Sequence, residues 1–352
     1  MSSQLAAVAR AMVAPGKGIL AADESTGTAN KRFGPLGIPE TEDMRRDYRE
    51  MLFTAPDFGT YVSGVILYDE TIRQNAVSGG TLVDIITRSG ALPGIKLDTG
   101  PHALALAGPD EKITEGLDGL AKRVDEYVKL GAKFAKWRAV ITIGNDIPTH
   151  RCIAANAHAL ARYAAICQAG GLVPIVEPEV LMDGEHATHS IERSFEVHER
   201  TLLTVFRELS ETGVRFEEMI LKPSMVIPGQ NSAQHASTEE VADATVTVLL
   251  RWVPAAVAGI AFLSGGQSDE AATRHLNEIN LIGAARRAPW PMTFSYGRAL
   301  QHAALTTWLG NAANAPAAQA ALTHRLKMNS LAAQGRYSAE SESGKELVGA
   351  GR

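Results

Sequence analysis

The sequence is poor in cysteine and contains no long apolar run. Only Cys152 and Cys167 occur among its 352 residues, which argues against a disulfide-based fold and favours a reducing compartment with both thiols buried. No segment approaches the ~18 consecutive apolar residues of a membrane span. The net charge of −5 gives no basic excess, so nucleic acid is not an expected partner.

The N-terminal stretch also lacks the features of a signal peptide. Arg10 interrupts its apolar run, and no charged segment precedes that run. The pattern predicts a short amphipathic helix that ends at Pro15-Gly16. We therefore expect a soluble, cytoplasmic protein with no membrane partner. At the other end, residues 338–352 are rich in Glu, Ser and Gly, a composition that predicts a flexible C-terminal tail.

The sequence does contain a repeated pattern of eight short apolar segments. Helical periodicity fills most of the intervals between them, and the clearest helices are predicted at 154–167, 194–212 and 238–252. Ser237 and Glu240 resemble a capping box at the start of the last of these. The apolar segments span residues 18–22, 62–67, 94–97, 133–137, 172–176, 219–221, 259–263 and 292–294.

Strands that alternate with helices indicate a parallel sheet with right-handed crossovers. Eight repeats in about 300 residues predict an α/β fold of the (β/α)8 TIM-barrel type. We expect one catalytic domain over residues 1–337, with an N-terminal helix and the tail outside the barrel. The alternative is a doubly wound open sheet, but residues 22–27 after the first strand lack the glycine-rich turn typical of that fold.

Lys222 is the most informative single residue. It ends the short apolar strand 219–221 and precedes Pro223. Burial there would disfavour the ammonium and lower its pKa, leaving a neutral amine that can attack a carbonyl and form a Schiff base. The alternative is an ordinary lysine that has left the strand for solvent.

Polar residues follow most of the other predicted strands as well. In a barrel the carboxyl ends of all strands lie on one face, where the active sites of barrel enzymes are built. Individually, these residues have simpler interpretations: a helix N-cap, solvated loop acids, a lysine that extends to water, or a tight turn. Their recurrence at the same end of several strands favours a site. They are Asp23, Lys96, Lys136, Arg138, Glu177, Glu179, Lys222, Ser264, Gly265 and Gly266.

These residue types favour carbon–carbon bond cleavage through a Schiff base. Lys136 near Lys222 would lower the pKa of the amine by like-charge repulsion. Glu177 is suited to act as the acid and base in carbinolamine chemistry, and Asp23 to accept a proton from a substrate hydroxyl. The site would also bind phosphate. Backbone N–H groups at Gly265 and Gly266 suit an anion, and Arg298 offers a charged partner.

A metal-assisted reaction is the alternative mechanism, and it needs about three closely spaced ligands. The nearest candidates are His186, His189 and His198. Their spacing fits a helix only loosely, so a loop and a helix surface are the favoured interpretation.

Several motifs resemble those of class I fructose-1,6-bisphosphate aldolase, the metal-independent family that forms a Schiff base. The resemblance covers residues from about 5 to 337. It implies a (β/α)8 barrel, a homotetramer without a cofactor, and reversible cleavage of fructose 1,6-bisphosphate in glycolysis and gluconeogenesis. The matching motifs include GKGILAADESTGT, GIKLDTG, FAKWRAVITI, LVPIVEPEV, LKPSMVIPG, FLSGGQSDEAA and FSYGRALQ.

The resemblance also implies roles for individual residues. Lys222 matches the Schiff-base lysine, Glu177 the acid and base of the carbinolamine steps, and Asp23 the residue tied to the C4 hydroxyl. Those matched to neighbouring catalytic positions are Lys136, Arg138, Glu179 and Lys96. The matched 1-phosphate binders are Ser264, Gly265, Gly266 and Arg298, and those for the other phosphate are Ser25, Thr28 and Arg32, where Thr28 stands in place of a frequent serine.

One departure concerns the C-terminus. Many animal and plant members end in a tyrosine that assists proton exchange at the enamine carbon, whereas this chain ends in Gly351-Arg352 and its last tyrosine is Tyr337. We therefore expect another group or a water to protonate the enamine. Two further alternatives are a transaldolase, which the number of phosphate-binding features disfavours, and a non-enzymatic binding protein, which the presence of all the catalytic residues disfavours.

Overall fold

Eight parallel strands close into a barrel in the computed structural model, which describes residues 3–108, 110–184 and 187–343. Around the barrel the strands follow the order β1, β10, β9, β8, β7, β6, β3, β2, and an antiparallel hairpin of β4 and β5 lies outside it. The strands are β1 Gly18–Ala22, β2 Val62–Leu67, β3 Leu92–Lys96, β4 Gly100–Ala103, β5 Lys112–Glu115, β6 Phe134–Ile141, β7 Val173–Val180, β8 Ile220–Leu221, β9 Gly259–Phe262 and β10 Met292–Tyr296.

Helices surround the barrel and connect successive strands. Short 3-10 turns lie at Gly34–Leu36, Phe216–Glu218 and Ala312–Asn314. The α-helices are α1 Gln4–Met12, α2 Thr26–Phe33, α3 Glu42–Phe53, α4 Phe58–Tyr61, α5 Asp69–Ile72, α6 Leu82–Arg88, α7 Leu120–Lys129, α8 His150–Ala169, α9 Ile191–Glu211, α10 Thr238–Trp252, α11 Asp269–Ala285, α12 Arg298–Trp308, α13 Ala315–Ala332 and α14 Ala339–Glu342.

Side chains fill the barrel interior as the period of two along a strand requires. Ile19, Phe134, Ile175 and Ile220 belong to one buried interior cluster. Phe134 occupies so much of this space that a Cβ on Gly94 would lie 2.3 Å from its ring. A glycine at position 94 is therefore a packing requirement for this phenylalanine.

The N-terminal helix α1 covers the amino-terminal end of the barrel. The Ser3 hydroxyl accepts a hydrogen bond from the Ala6 N–H and caps the helix. Ala9 and Met12 of α1 are fully buried and belong to the interior cluster of the barrel. The N-terminal helix predicted from the sequence is confirmed, and its role is to exclude water from the interior at the end away from the polar residues.

All eight predicted strands are present, and the predicted (β/α)8 barrel is confirmed. The main difference is length, since β6 and β7 extend well beyond 137 and 176. Their added residues include Arg138, Glu177 and Glu179, which remain in register across the two strands, with Arg138 opposite Glu177. These charged residues are part of the strands because the backbone pairing of β6 with β7 continues to the polar face of the barrel.

The β4–β5 hairpin was not predicted. Half of its strand residues are exposed and its sequence includes Pro101, so it lacks the apolar pattern that indicated the other strands. The hairpin is held to β6 by Thr114, whose hydroxyl donates to the Arg138 carbonyl at 2.7 Å. It therefore adds a wall above the carboxyl ends of β3 and β6.

The structure describes the C-terminal tail as far as Ser343. Ser338 caps the one-turn helix α14. The Glu342 carboxylate accepts a hydrogen bond from the Tyr337 hydroxyl at 2.9 Å and forms an ion pair with Arg325. The predicted flexibility of residues 344–352 falls outside the described residues. None of the described helices is both long and apolar enough to cross a membrane.

Candidate active site

The polar strand ends converge on a cleft of about 610 Å³ at the carboxyl face of the barrel. Lys136 and Lys222 stand two residues beyond Phe134 and Ile220, so each continues the inward-facing row of its strand. Strand alternation therefore places them in the cleft. The predicted residues that line it are Asp23, Ser25, Thr28, Arg32, Lys96, Lys136, Arg138, Glu177, Glu179, Lys222, Ser264, Gly265 and Arg298.

Lys222 and Glu177 form the central pair of the cleft. The Lys222 Nζ lies 3.2 Å from Glu177 Oε1, and both side chains are 5% exposed. The backbone N–H of Lys222 donates to the Val176 carbonyl at 2.8 Å, which fixes the strand end that carries the amine. Lys222 is therefore a rigidly placed amine beside a carboxyl group, and the interpretation of an ordinary solvent-exposed lysine is wrong.

Lys136 lies at the centre of a group of three carboxylates. Its Nζ is 2.7 Å from Asp23 Oδ2, 3.5 Å from Glu177 Oε2 and 3.9 Å from Asp98 Oδ2. Burial alone would lower the pKa of Lys136, but the charges of Asp23, Glu177 and Asp98 outweigh burial and raise this pKa well above its ordinary value. Lys136 consequently stays cationic.

Asp23 stays anionic for the reciprocal reason. Burial alone would raise its pKa, but the charge of Lys136, followed by those of Lys222 and Lys96, lowers the pKa to about 2. The N-cap of the following helix α2 is Ser25, whose hydroxyl accepts from the Thr28 N–H. The alternative interpretation of Asp23 as the helix cap is therefore wrong, and its carboxylate faces the cleft.

Asp98 is a cleft residue that the sequence reasoning missed. Its side chain is 3% exposed, and Oδ1 lies 2.7 Å from the Lys96 Nζ. Lys96 also donates to the Asp98 carbonyl at 2.6 Å, so it does not extend to water. The signal was present, because Asp98 follows Lys96 by two residues, the spacing that gives two side chains the same direction.

Arg138 and Glu179 form the next layer outward. Their side chains make an ion pair, and this pair is the main reason that the pKa of Arg138 is raised above its ordinary value. Glu177 and Glu179 both line the cleft, as do Lys136 and Arg138. Each pair has the shared face that its spacing of two predicts.

A first anion-binding region follows β9 and β10. Gly265 adopts a φ of +55°, a left-handed conformation that favours glycine. Ser264 and Gly265 line the cleft with Arg298, the first residue of α12, whose guanidinium is held by the Gln267 carbonyl at 3.0 Å. Gly266 is not among the residues that line the cleft, and a Cβ there would lie 3.0 Å from the Asp183 Cβ.

A second region lies at the start of α2. The Ser25 and Thr28 hydroxyls are 3.1 Å apart, and Arg32 pairs with Glu24 at 2.5 Å. The N–H groups of the first turn of α2 favour an anion at this helix end. Arg49 supports the loop from below, because its guanidinium donates to the Glu24 carbonyl at 2.7 Å.

Ser295 on β10 is a second residue that the sequence reasoning missed. It lines the cleft, is 1% exposed, and its hydroxyl has no hydrogen-bond partner in the structure. A buried hydroxyl without a partner is costly unless a ligand or water satisfies it. The alternation along β10 could have identified Ser295, which follows Thr293 by two residues.

Comparison with known proteins shows the family of this chain. The family model described as class-I fructose-bisphosphate aldolase matches residues 4–348. A protein of Xanthomonas axonopodis named probable fructose-bisphosphate aldolase class 1 is 54% identical, with 95% of this chain and 98% of the relative covered. The chain belongs to the class-I fructose-bisphosphate aldolase family.

Similar members of this family occur in other organisms as well. Fructose-bisphosphate aldolase 2 of Caenorhabditis elegans is 49% identical, with 97% of this chain and 92% of the relative covered. A crystal structure of the Plasmodium falciparum aldolase has a TM-score of 0.92 at 46% identity, covering 95% of each chain. The predicted family, its lyase class and its glycolytic aldolase function are thereby confirmed.

The histidines considered for a metal-assisted reaction do not form a shared site in the described part of the chain. His198 is buried on α9, where its Nδ1 lies 2.7 Å from the Ser194 carbonyl. His186 falls outside the described residues. Across those that are described, no group of three His, Cys, Asp or Glu side chains has the spacing to hold a metal ion.

Tyr337 lies away from the cleft. It is not among the cleft-lining residues, and its hydroxyl donates to Glu342. Burial and the Glu342 carboxylate raise the pKa of Tyr337 to about 12. Within the described chain, this tyrosine is placed to stabilise α14 and not to exchange a proton with a bound substrate.

Proposed function

We propose that this chain cleaves fructose 1,6-bisphosphate reversibly into dihydroxyacetone phosphate and glyceraldehyde 3-phosphate through a Schiff base on Lys222. The observation that carries this proposal is the buried Lys222–Glu177 pair, at 3.2 Å, beneath an open cleft. The amine has a carboxyl partner for proton transfer, a cation beside it, and two anion-binding regions within reach of the same cleft. This combination suits a ketose that carries two phosphates.

In the first stage the neutral Lys222 amine attacks the C2 carbonyl of the open-chain sugar and forms a carbinolamine. Glu177 donates a proton to the departing C2 hydroxyl, so that water leaves and an iminium remains. Lys136 is well placed to stabilise the Glu177 carboxylate that results, because its Nζ faces the other carboxylate oxygen at 3.5 Å.

Carbon–carbon bond cleavage follows. Asp23 accepts the proton of the C4 hydroxyl while the C3–C4 bond breaks, and the electron pair of that bond moves into the iminium to give an enamine. Glyceraldehyde 3-phosphate then leaves. Because the cationic Lys136 holds Asp23 anionic at 2.7 Å, this carboxylate is ready to act as a base at neutral pH.

Protonation of the enamine at C3 restores the iminium, and water releases dihydroxyacetone phosphate and the free Lys222 amine. One water is lost and one is consumed, so the cycle needs no redox partner and no cofactor. Tyr337 lies away from the cleft and is bonded to Glu342, so we propose that water or another cleft residue supplies the C3 proton.

The remaining site residues bind and orient the substrate in this proposal. Lys96 contacts the sugar near C4, while Arg138 and Glu179 form a supporting pair. Ser295 satisfies its buried hydroxyl by bonding to a substrate oxygen. The cleft residues Ser264, Gly265 and Arg298 bind the 1-phosphate, and Ser25, Thr28 and Arg32 bind the other phosphate. Gly266, which is not on the cleft wall, contributes to the 1-phosphate region only through its backbone.

Assembly and location complete the proposal. We infer a homotetramer in the cytoplasm, in which residues 1–337 form one catalytic domain and 338–352 a tail. A relative from Arabidopsis thaliana at 50% identity is named as cytosolic, whereas another at 48% is named as chloroplastic. Light scattering coupled to size-exclusion chromatography tests the assembly, and a molar mass other than four chains would contradict it.

Borohydride trapping tests the mechanism. The protein is incubated with dihydroxyacetone phosphate in EDTA, reduced with borohydride, digested and mapped by mass spectrometry. We expect one reduced adduct, on Lys222, with loss of activity, and no adduct in Lys222→Met. An adduct on another lysine, or full activity in Lys222→Met, would overturn the assignment, and activity lost in EDTA before reduction would support a metal-dependent reaction.

A further inference from the structure

Behind the first anion-binding region, hydrogen bonds of Gln267 join otherwise separate parts of that region. Its side-chain Nε2 donates to the Ser264 carbonyl at 3.0 Å. Its own carbonyl accepts from the Arg298 guanidinium at 3.0 Å. Gln267 is 6% exposed and is absent from the cleft wall, so it touches the groups that would bind the phosphate without facing the phosphate.

The side chain of Gln267 also contacts His275 on α11. The His275 Nδ1 lies 2.5 Å from the Gln267 Oε1. Since Nε2 of Gln267 is directed to a carbonyl, its Oε1 must accept, and His275 therefore donates from Nδ1. Burial, together with the nearby charge of Arg274, lowers the pKa of His275 to about 4. At neutral pH the imidazole is thus an uncharged donor with a defined tautomer.

We propose that Gln267 and His275 are positioning residues for the phosphate of dihydroxyacetone phosphate. His275 fixes the Gln267 side-chain amide, and this amide holds the Ser264 carbonyl of the phosphate-binding turn, while the backbone carbonyl of Gln267 holds Arg298. The inference rests on the proposed function, because it adds a supporting pair to that site. It predicts that the pair acts on one half of the substrate only, since neither residue touches Ser25, Thr28 or Arg32.

His275 is placed to act on the phosphate-binding turn through a hydrogen bond. A side chain that merely filled space on α11 would have no need of a polar contact with the turn. Here the donor, the amide and the Ser264 carbonyl form one chain of hydrogen bonds that ends at a cleft residue. Loss of the donor frees the Gln267 side-chain amide to rotate. The Ser264 carbonyl then keeps only the hydrogen bond from the Gln267 backbone N–H, at 3.2 Å, and the phosphate-binding turn is held less firmly.

The experiment measures KM for dihydroxyacetone phosphate and for glyceraldehyde 3-phosphate separately, in the condensation direction. The variants are His275→Leu, which removes the donor, His275→Asn, whose amide can replace Nδ1–H, and Gln267→Leu. Asn280→Ala, on the same helix but bonded to the Leu276 carbonyl, is the control for a general effect on α11.

We expect His275→Leu and Gln267→Leu to raise KM for dihydroxyacetone phosphate about tenfold, the effect of one buried hydrogen bond, with KM for glyceraldehyde 3-phosphate unchanged. His275→Asn should recover most of the loss, and Asn280→Ala should match the wild type. Equal changes in both KM values, no change in either, or no recovery in His275→Asn would overturn the inference.

Two measurements on the wild-type protein, the Lys222 adduct and the condensation of both substrates, separate failure of this inference from failure of the proposed function. If the wild type forms no adduct on Lys222, the proposed function fails. If it forms the adduct and condenses both substrates while the variants show no selective change, only the role of Gln267 and His275 fails. Should His275→Leu not fold, Gln267→Leu carries the same prediction.

Discussion

The Lys136 Nζ lies 2.7 Å from the Asp23 Oδ2. This contact joins a residue of β6 to the residue that follows β1, and these two strands are not neighbours in the barrel. Each residue holds the other in its charged form. Burial by itself would favour the neutral forms of both, yet the pKa of Asp23 falls to about 2 and that of Lys136 rises. The base proposed for bond cleavage therefore depends on a cation that the sequence places on a different strand.

Replacing Lys136 with Met should raise the pKa of Asp23. Without the cation, burial dominates and protonates Asp23 at higher pH, so activity is lost at a higher pH on the acid side than in the wild type. We also expect kcat to fall about a hundredfold or more. The measurement is kcat and kcat/KM as functions of pH.

Lys136→Arg is the matched variant, since it keeps the positive charge and should keep the acid limb near its wild-type position. If Lys136→Met shows the wild-type acid limb, then Asp23 is not the group that limits activity at low pH.

The Asp98→Asn variant should impair bond cleavage more than Schiff-base formation. Asp98 pairs with Lys96 at 2.7 Å and lies 3.9 Å from Lys136, but has no ion pair with Lys222 in the structure. Loss of this charge-assisted contact should lower kcat for fructose 1,6-bisphosphate about tenfold or more. Comparing kcat with the yield of borohydride-trapped adduct separates the two steps. Asp118→Asn, at an exposed carboxylate, is the control, and equal losses in adduct and kcat would contradict the role.

His198 should make the protein less stable as pH falls. Burial lowers its pKa from 6.5 to about 4 in the folded state. Above pH 6.5 the imidazole is neutral whether folded or unfolded and contributes nothing. Between pH 6.5 and 4 the unfolded chain binds a proton that the folded chain refuses, so the free energy of unfolding falls, in total by about 3 kcal/mol.

His198→Asn removes this titration. We expect the difference in unfolding free energy between pH 7 and pH 4.5 to shrink by about 2 kcal/mol, measured by urea unfolding at each pH. The exposed His235→Asn is the control for loss of an imidazole. An unchanged difference in His198→Asn would show that this histidine is protonated in the folded protein at pH 4.5.

Gly94→Ala should destabilise the barrel. The added Cβ would lie 2.3 Å from the Phe134 ring, and a filled core has no room to move the ring, so a cost of about 2 kcal/mol or more is expected. Gly27→Ala is the matched control, because nothing lies within 4 Å of a Cβ there and alanine favours helix. Thermal unfolding measures both, and equal melting temperatures for the two variants would contradict the packing argument.

Much of the fold could be predicted from the sequence because a parallel strand buried on both faces appears as an apolar run. Each of the eight runs corresponds to a strand, and the capping box at Ser237 and Glu240 is present at the start of α10. The ends of β6 and β7 were less predictable, since their charged residues resemble a loop. The exposed β4–β5 hairpin had no apolar pattern from which to infer it.

The candidate site, like the fold, could be predicted from the sequence only in part. Lys222, Glu177, Asp23 and Lys136 were identifiable as polar residues at strand ends, and the family motifs gave them roles. Asp98 and Ser295 were missed, although each follows a neighbour by the spacing of two that gives a common direction. Their significance lies in buried contacts, an ion pair for one and an unpaired hydroxyl for the other, which a strand pattern does not show.

The barrel, the family and the end of the barrel at which the polar residues gather could all be predicted from the sequence, because alternation, spacing and motifs are local properties of the chain. Which charges meet depends on the tertiary structure. Lys136 could have paired with any carboxylate at that end. The register and closure of the barrel bring it to Asp23 and Glu177, and the energies of those contacts depend on distance and burial, which no local pattern specifies.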